Sequence, residues 1–276
     1  MNTNQFDRMV NNAVRDFSNA HYELFRSISG VIVSLVDSLA LMLSSINQYV
    51  LVLLFIGLMY YISRKIIKST ILGLLLLVIY LIGYWQLMIL TLSLVVISIC
   101  ISMSLGIPVG ILMSESALMT SIITPILDFM QTIPTFVYLI PSVMLFGLGK
   151  ASALFAMLIY SLPSIIRLTA LGLRLVDKDA VEATITYGAT RWQLLVITKI
   201  PLALKSIFLG INQTSVASLS MVVTASMIGA GGLGGEILRS INQINLGQGI
   251  RSGICIVILA IVINNLNYEI SNKFNY

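Results

Sequence analysis

The chain has 276 residues, of which 58% are hydrophobic and only 10% charged; its mean hydropathy of +0.98 excludes a soluble globular domain and makes it an integral membrane protein. A formal net charge of +5 would point to an acidic partner in a soluble protein, but in a membrane chain Lys and Arg report topology, because they gather on cytoplasmic loops. One histidine, His21, and two cysteines in apolar runs, Cys100 and Cys255, offer no setting for a His-based triad, a metal cluster or a disulfide framework.

The first 27 residues contain no apolar stretch long enough for a signal peptide. Phe6, Met9, Val10, Ala13, Val14 and Phe17 recur at three- and four-residue steps, opposite Asp7, Arg8, Asn11, Asn12, Arg15 and Asp16. This is an amphipathic helix that lies along the membrane surface or packs on a neighbouring subunit. A second amphipathic run follows, with Ile28, Val31, Ile32, Leu35, Leu39, Met42 and Ile46 on one side, and Asp37 in mid-run argues against a span. Residues 1–47 are therefore expected to form a peripheral N-terminal layer.

A spanning helix needs about 20 predominantly apolar residues. Seven segments qualify: roughly Gln48–Ser63, Thr70–Trp85, Met88–Met113, Met130–Leu148, Ala151–Leu173, Leu202–Ile228 and Ile250–Ile270. The first two are short and make an accessory pair over 48–87. From about Met88 the helices are longer and richer in Gly and Pro. Gly106 and Gly110 flank Pro108, a pattern that allows close backbone approach and a bend. In QTIPTFVYLIP, Pro134 and Pro141 enclose Phe136 and Tyr138, so a broken or mobile helix is expected, either lining a path or simply packing. GAGGLGG (229–235) contains a literal G-x-G-x-x-G but lacks the preceding strand and following acid of a dinucleotide site. It is expected to be a flexible outer turn at the mouth of a path.

Between the fifth and sixth spans lies the one concentrated polar island, DKDAVEATITYGATRWQLLVITKIP. Lys178 to Val196 has helical spacing, with Val181, Ile185, Leu194 and Leu195 on an apolar side and Asp177, Asp179 and Glu182 near the positive N-terminal end. Glu182, Ala183, Gly188 and Pro201 reproduce the pattern E-A-A, three residues, Gly, nine residues, I-x-L-P without insertion. That spacing resembles the cytoplasmic loop of ABC-importer permeases. Three positions depart from it: Thr184 replaces the second alanine, Thr198 the isoleucine and Ile200 the leucine.

With that loop inside, ten Lys and Arg (Arg64, Lys65, Lys68, Arg167, Arg174, Lys178, Arg191, Lys199, Lys205 and Lys273) fall inside. Six (Arg8, Arg15, Arg26, Lys150, Arg239 and Arg251) fall outside. The bias places the N-terminus out and the C-terminus in.

The centres of the spans from Met88 onward carry no Asp, Glu or Lys, whereas a carrier driven by protons or sodium keeps such a group at the midplane. The energy source therefore lies outside this chain. Residues 88–268 resemble the type I ABC-importer transmembrane domain, and more narrowly the glycine betaine/proline osmoprotectant permeases. The narrower likeness rests on QTIPTFVYLIPSVMLFGLG, LPSIIRLTALGLR, GINQT and LSMVVTASMIGAGGLG.

The resemblance implies an all-α, multi-pass permease of the bacterial plasma membrane that is not itself an enzyme. Its partners would be a second copy of itself, a cytosolic ABC ATPase holding ATP and Mg, and an extracytoplasmic binding protein; no nucleic acid is expected. It also implies a coupling helix over 178–195 carrying Glu182, Ala183 and Gly188, with Pro201 opening the next span, and a small methylated amine as cargo. Aromatic faces hold such cations, so Phe136, Tyr138, Phe146, Phe155 and Tyr160, with Met221 and Met227, are the path candidates. The competing readings are a stand-alone carrier or channel and, more remotely, an intramembrane enzyme, for which no paired acids or nucleophile motif are present.

Overall fold

The computed structural model of the protein describes residues 3–273, with the side chains of residues 3–7, 10, 11 and 13 outside the described set. Phe6, Val10 and Ala13 of the expected first apolar stripe lie among those. No β-strand occurs among the described residues. The N-terminal helices are α1 (Thr3–Ala20) and α2 (Tyr22–Ser45), and the accessory pair is α3 (Gln48–Ser63) and α4 (Ile66–Ile82). Then come α5 (Trp85–Glu115), α6 (Ala117–Thr132), a 3₁₀ turn at Thr135–Tyr138, α7 (Leu139–Phe146) and α8 (Lys150–Arg174). The remainder is α9 (Lys178–Thr186), α10 (Arg191–Gln193), a π-turn at Leu194–Lys199, α11 (Ile200–Ser226), α12 (Gly232–Asn242) and α13 (Leu246–Lys273).

Among the described residues, five helical runs have the length and composition to cross a bilayer: α2, α5, α8, the continuous stretch Arg191–Ser226, and α13. A sixth is the pair of α6 and Thr135–Phe146, bent by 106°. The expected seven are thus revised in two places. α3 and α4, at 16 and 17 residues, reach only about 25 Å against a hydrocarbon core of about 30 Å. The expected span Met130–Leu148 is instead α6 joined to α7, because Ile133 and Pro134 are both extended (ψ 133° and 136°) and break the helix between them.

α2 also has the length and hydropathy of a span, but Asp37 in mid-helix is paired with Lys150, the first residue of α8, at an end of the bundle. Its other neighbours lie at helix ends as well. Phe25 meets Phe146 of α7 edge-on at 5.5 Å, and Asp37, Ala40 and Ser44 share a cleft with Gln86, Ile89 and Leu90 at the start of α5.

Ion pairs mark the opposite end of the bundle: Lys68 to Glu269 (2.7 Å) ties α4 to α13, and Lys199 to Glu115 (2.6 Å) ties the π-turn to the end of α5. α1 is held at the α7 end, where the Ser18 hydroxyl donates to the Met144 carbonyl at 3.2 Å. In a Cys100→Ser, Cys255→Ser background, an impermeant maleimide on intact cells is expected to label Asn19→Cys and leave Asn272→Cys unlabelled. The reverse pattern would invert the topology.

The core is the close association of α5, α8 and α11, and small residues make it possible. A Cβ on Gly110 would lie 2.7 Å from Thr169 Cβ and 2.8 Å from the Ile166 carbonyl, and one on Gly210 would lie 2.9 Å from Ile165 Cδ1. The expectation that Gly106 and Gly110 permit close approach is met, and α8 is what approaches. Hydroxyls join the three helices where lipid offers no partner: Ser98 with Ser218 (3.2 Å) and Ser102 with Ser161 (3.2 Å), both buried. Membrane interfaces use small and hydroxyl-bearing residues for this purpose, since apolar burial against lipid supplies no preference.

The glycine-rich segment is not the flexible outer turn expected from sequence. Gly229, Gly231 and Gly232 have φ of +94°, +74° and +68°, and Ala230 and Leu233 are fully buried. The Leu233 N–H donates to Thr91 Oγ1 of α5 at 2.9 Å. The glycines let the chain reverse tightly from α11 into α12, whose Gly234 sits against the Val222 carbonyl.

Candidate functional site

The polar island opens with a capped helix. The Asp177 side chain accepts the Asp179 N–H (3.1 Å), placing acidic groups at the positive end of α9. α9 does not run on to 195. Gly188 has φ +83°, and its N–H returns to the Ile185 carbonyl at 2.8 Å while that of Ala189 reaches Thr184 O at 3.4 Å. This left-handed stop is one a side chain would strain. The single coupling helix expected over 178–195 is therefore two pieces. The second starts at Thr190, whose hydroxyl accepts the Gln193 N–H (3.3 Å) while Gln193 Oε1 accepts the Thr190 N–H (2.8 Å), a reciprocal cap.

The second piece passes through the π-turn Leu194–Lys199 into α11 without a break. Pro201 supplies the physical reason. It has no N–H to offer the carbonyl four residues back, and its ring crowds that carbonyl, so the preceding turn widens. Pro201 is the second residue of α11, and the helical run it stands in begins at Arg191.

Glu182, Ala183, Gly188 and Pro201 are all exposed, and Glu182 has no side-chain partner among the described residues. The same lobe bares Tyr187 and Trp192, 92% and 72% exposed, with Ile185 and Ile197. Sequence reading passed over both aromatics, although aromatic residues in a charged loop are a signal in themselves. Exposed apolar clusters rimmed by charge mark contact surfaces. Arg174, at the end of α8, donates to the Met113 carbonyl and to Thr120, fixing the helix from which this lobe hangs.

The path candidates do not converge. Tyr138 and Met221 are 5% and 1% exposed and belong to the core, the Tyr138 hydroxyl being held by the Met130 carbonyl. Phe146 is taken up by rings, with Phe155 at 4.9 Å and Phe25 at 5.5 Å, and Tyr160 is half-buried. Phe136 and Met227 are more than half exposed. Arg167 of α8 pairs with Asp128 of α6 at 2.6 Å on the protomer surface.

The chain is thus an all-helical membrane bundle whose large polar loop is built from two capped helical pieces and bares an acid and two aromatics. Residues 102–271 match the family described as binding-protein-dependent transport system inner membrane component. The chain belongs to this family, and with it to the multi-pass proteins of the inner membrane.

Among its relatives is the glycine betaine transport system permease protein OpuAB of Bacillus subtilis (strain 168), 40% identical over 250 residues, which are 90% of this chain and 88% of that one. Another is the glycine betaine/carnitine transport permease protein GbuB of Listeria monocytogenes serotype 1/2a (strain 10403S), 38% identical over 254 residues, 90% and 89% of the two chains. The fold matches a chain of the MetNI methionine ABC transporter in an inward-facing conformation, with a TM-score of 0.63 at 21% identity, over 67% of this chain and 93% of that one. The all-α type I importer transmembrane domain read from sequence is therefore borne out, and the stand-alone carrier is disfavoured.

Proposed function

We propose that this chain forms the translocation path of an ATP-driven importer for glycine betaine or a closely related methylated amine. The reading of the cargo is supported by relatives that span nearly their whole length with it and are named for glycine betaine and carnitine. The reading of the drive is carried by one observation, the exposed lobe of Glu182, Tyr187 and Trp192 on α9 and α10. A separate cytosolic ATPase grips this lobe, and ATP and Mg reside in that partner. A binding protein delivers the cargo outside, and two copies of this chain enclose the path. Phe136 and Met227, exposed on the protomer, are the candidates that fit such a path; Tyr138 and Met221 instead support its wall. α1 and α2 form a peripheral layer over the outer ends of α5, α7 and α8.

The absence of a lone fixed charge at the span centres suits a neutral zwitterion, because an unpaired carboxylate there would repel the cargo's own. The test is uptake into liposomes of labelled glycine betaine, choline and trimethylamine N-oxide by the permease with and without its ATPase and binding protein. ATP-dependent uptake of at least one of them by the complete complex, and none by the permease alone, is expected. Equal uptake by the permease alone under an ion gradient would end the ATP-driven reading, and transport of only an amino acid or metal ion would end the cargo reading.

A further inference from the structure

We infer that Thr184 and Thr198 form a hydroxyl latch that transmits movement of the coupling lobe to the membrane helix α11; the inference rests on the coupling role proposed for α9. Their Oγ1 atoms are 2.8 Å apart in a partly buried position, across the loop that separates α9 from the π-turn. The Thr184 hydroxyl also lies 2.8 Å from the Ala180 carbonyl one turn back in its own helix. A hydroxyl has one proton and two acceptor lone pairs. Thr184 commits its proton to Ala180, so Thr198 donates to Thr184.

Three features make this bond a transmission point. The π-turn is the element against which α9 chiefly packs, so movement of the lobe reaches the bundle through this contact. Thr198 lies within the π-turn, where widened hydrogen bonding leaves the backbone readiest to change register. Its neighbour Lys199 is anchored at 2.6 Å to Glu115 at the end of α5. Displacement of α9 is therefore passed at Thr198 to a segment whose next residue is tied to the core. Without the bond, α9 could slide on the turn, and closure of the ATPase would be spent in that slippage.

The two threonines occupy two of the three places where this chain departs from the importer loop pattern, and they stand together in space. The departures are thus a matched pair, two hydroxyls in contact where the pattern has two apolar residues. The latch is a positioning device: neither residue meets cargo or nucleotide.

The experiment uses the complete complex of permease, ATPase and binding protein in liposomes and measures molecules imported per ATP hydrolysed. Thr198→Val keeps the branched shape and removes the donor. It is expected to lower that ratio about fivefold, the factor an ordinary hydrogen bond supplies, while ATPase recovery on the tagged permease stays at the parent level. Thr184→Ser, which keeps the hydroxyl, is expected to retain the parent ratio. The double variant Thr184→Ala with Thr198→Ile, which restores the apolar pair, is expected to import more per ATP than Thr184→Ala alone.

A parental ratio in Thr198→Val, an additive double variant, or loss of ATPase binding in the single variants would overturn the latch. Failure of the unmodified permease to retain any ATPase would instead overturn the coupling reading beneath it.

Discussion

Glu182→Lys combined with Gly188→Leu is expected to reduce ATP-dependent uptake by more than about 100-fold while leaving the membrane bundle folded, since two separate penalties act on one lobe and each 1.4 kcal/mol is a tenfold factor. Gly188 turns the chain at φ +83° with open space around it. Leucine there meets no neighbour and instead bears the left-handed backbone cost of about 1–2 kcal/mol, which the loop relieves by abandoning the stop and displacing Tyr187 and Ala189. Glu182 is exposed, so its reversal costs the protomer little. It places a cation where the proposed partner meets an acid, and a mismatched charge at an interface costs several kcal/mol. Size-exclusion chromatography of the tagged permease with its ATPase reads the result: an unchanged permease peak with the ATPase missing. If the double variant retains the ATPase and imports normally, α9 is not the coupling element.

Gly110→Leu is expected to give a large loss of stability. The added Cβ would lie 2.8 Å from a backbone carbonyl, that of Ile166. A carbonyl within an α-helix cannot rotate aside as a side-chain tip can, so α5 and α8 must separate. Overpacking a close contact costs about 1–3 kcal/mol, and here separation would also stretch the Ser102–Ser161 bond that crosses the same interface. Thermal unfolding of the detergent-solubilised protein, followed by exposure of the buried Cys255 thiol, should show a clearly lowered midpoint. Gly57→Leu is the control: a Cβ there meets nothing within 4 Å, and little change is expected. Equal effects at the two positions would mean that the α5–α8 crossing is looser than described.

Much of this was legible in the sequence because the bilayer simplifies the code. Where backbone groups cannot bond to water, an apolar run of sufficient length becomes a helix, and α5, α8, α11 and α13 were placed nearly to their ends. The loop spacing from Glu182 to Pro201 identified the family because charged residues are scarce enough here for a spacing to stand out. What escaped were features set by partners distant in sequence. Asp37 reads as an isolated acid until Lys150 is seen beside it. α6 was overlooked because Thr120, Ser121, Thr124 and Asp128 dilute its apolar run, although Thr120 and Asp128 are satisfied by Arg174 and Arg167. Tyr138 and Phe146 look like path aromatics in a linear listing, but ring packing and a carbonyl partner claim them. Gly188 ends α9 with a positive φ, a stop that the loop spacing alone does not place.

The glycine contacts and buried serine pairs that bind α5, α8 and α11 have a mechanical consequence. Three helices in backbone contact, pinned at several depths, must move as one stiff block, because no single helix can tilt without breaking a hydroxyl pair or driving a methyl group into a carbonyl. The 106° elbow between α6 and α7 is tied across itself by one bond, from the Tyr138 hydroxyl to the Met130 carbonyl. The three helices thus make one stiff wall, so a load applied anywhere along it is carried by all three together, and α6 leans on that wall through the Asp128–Arg167 pair and the Thr120–Arg174 bond.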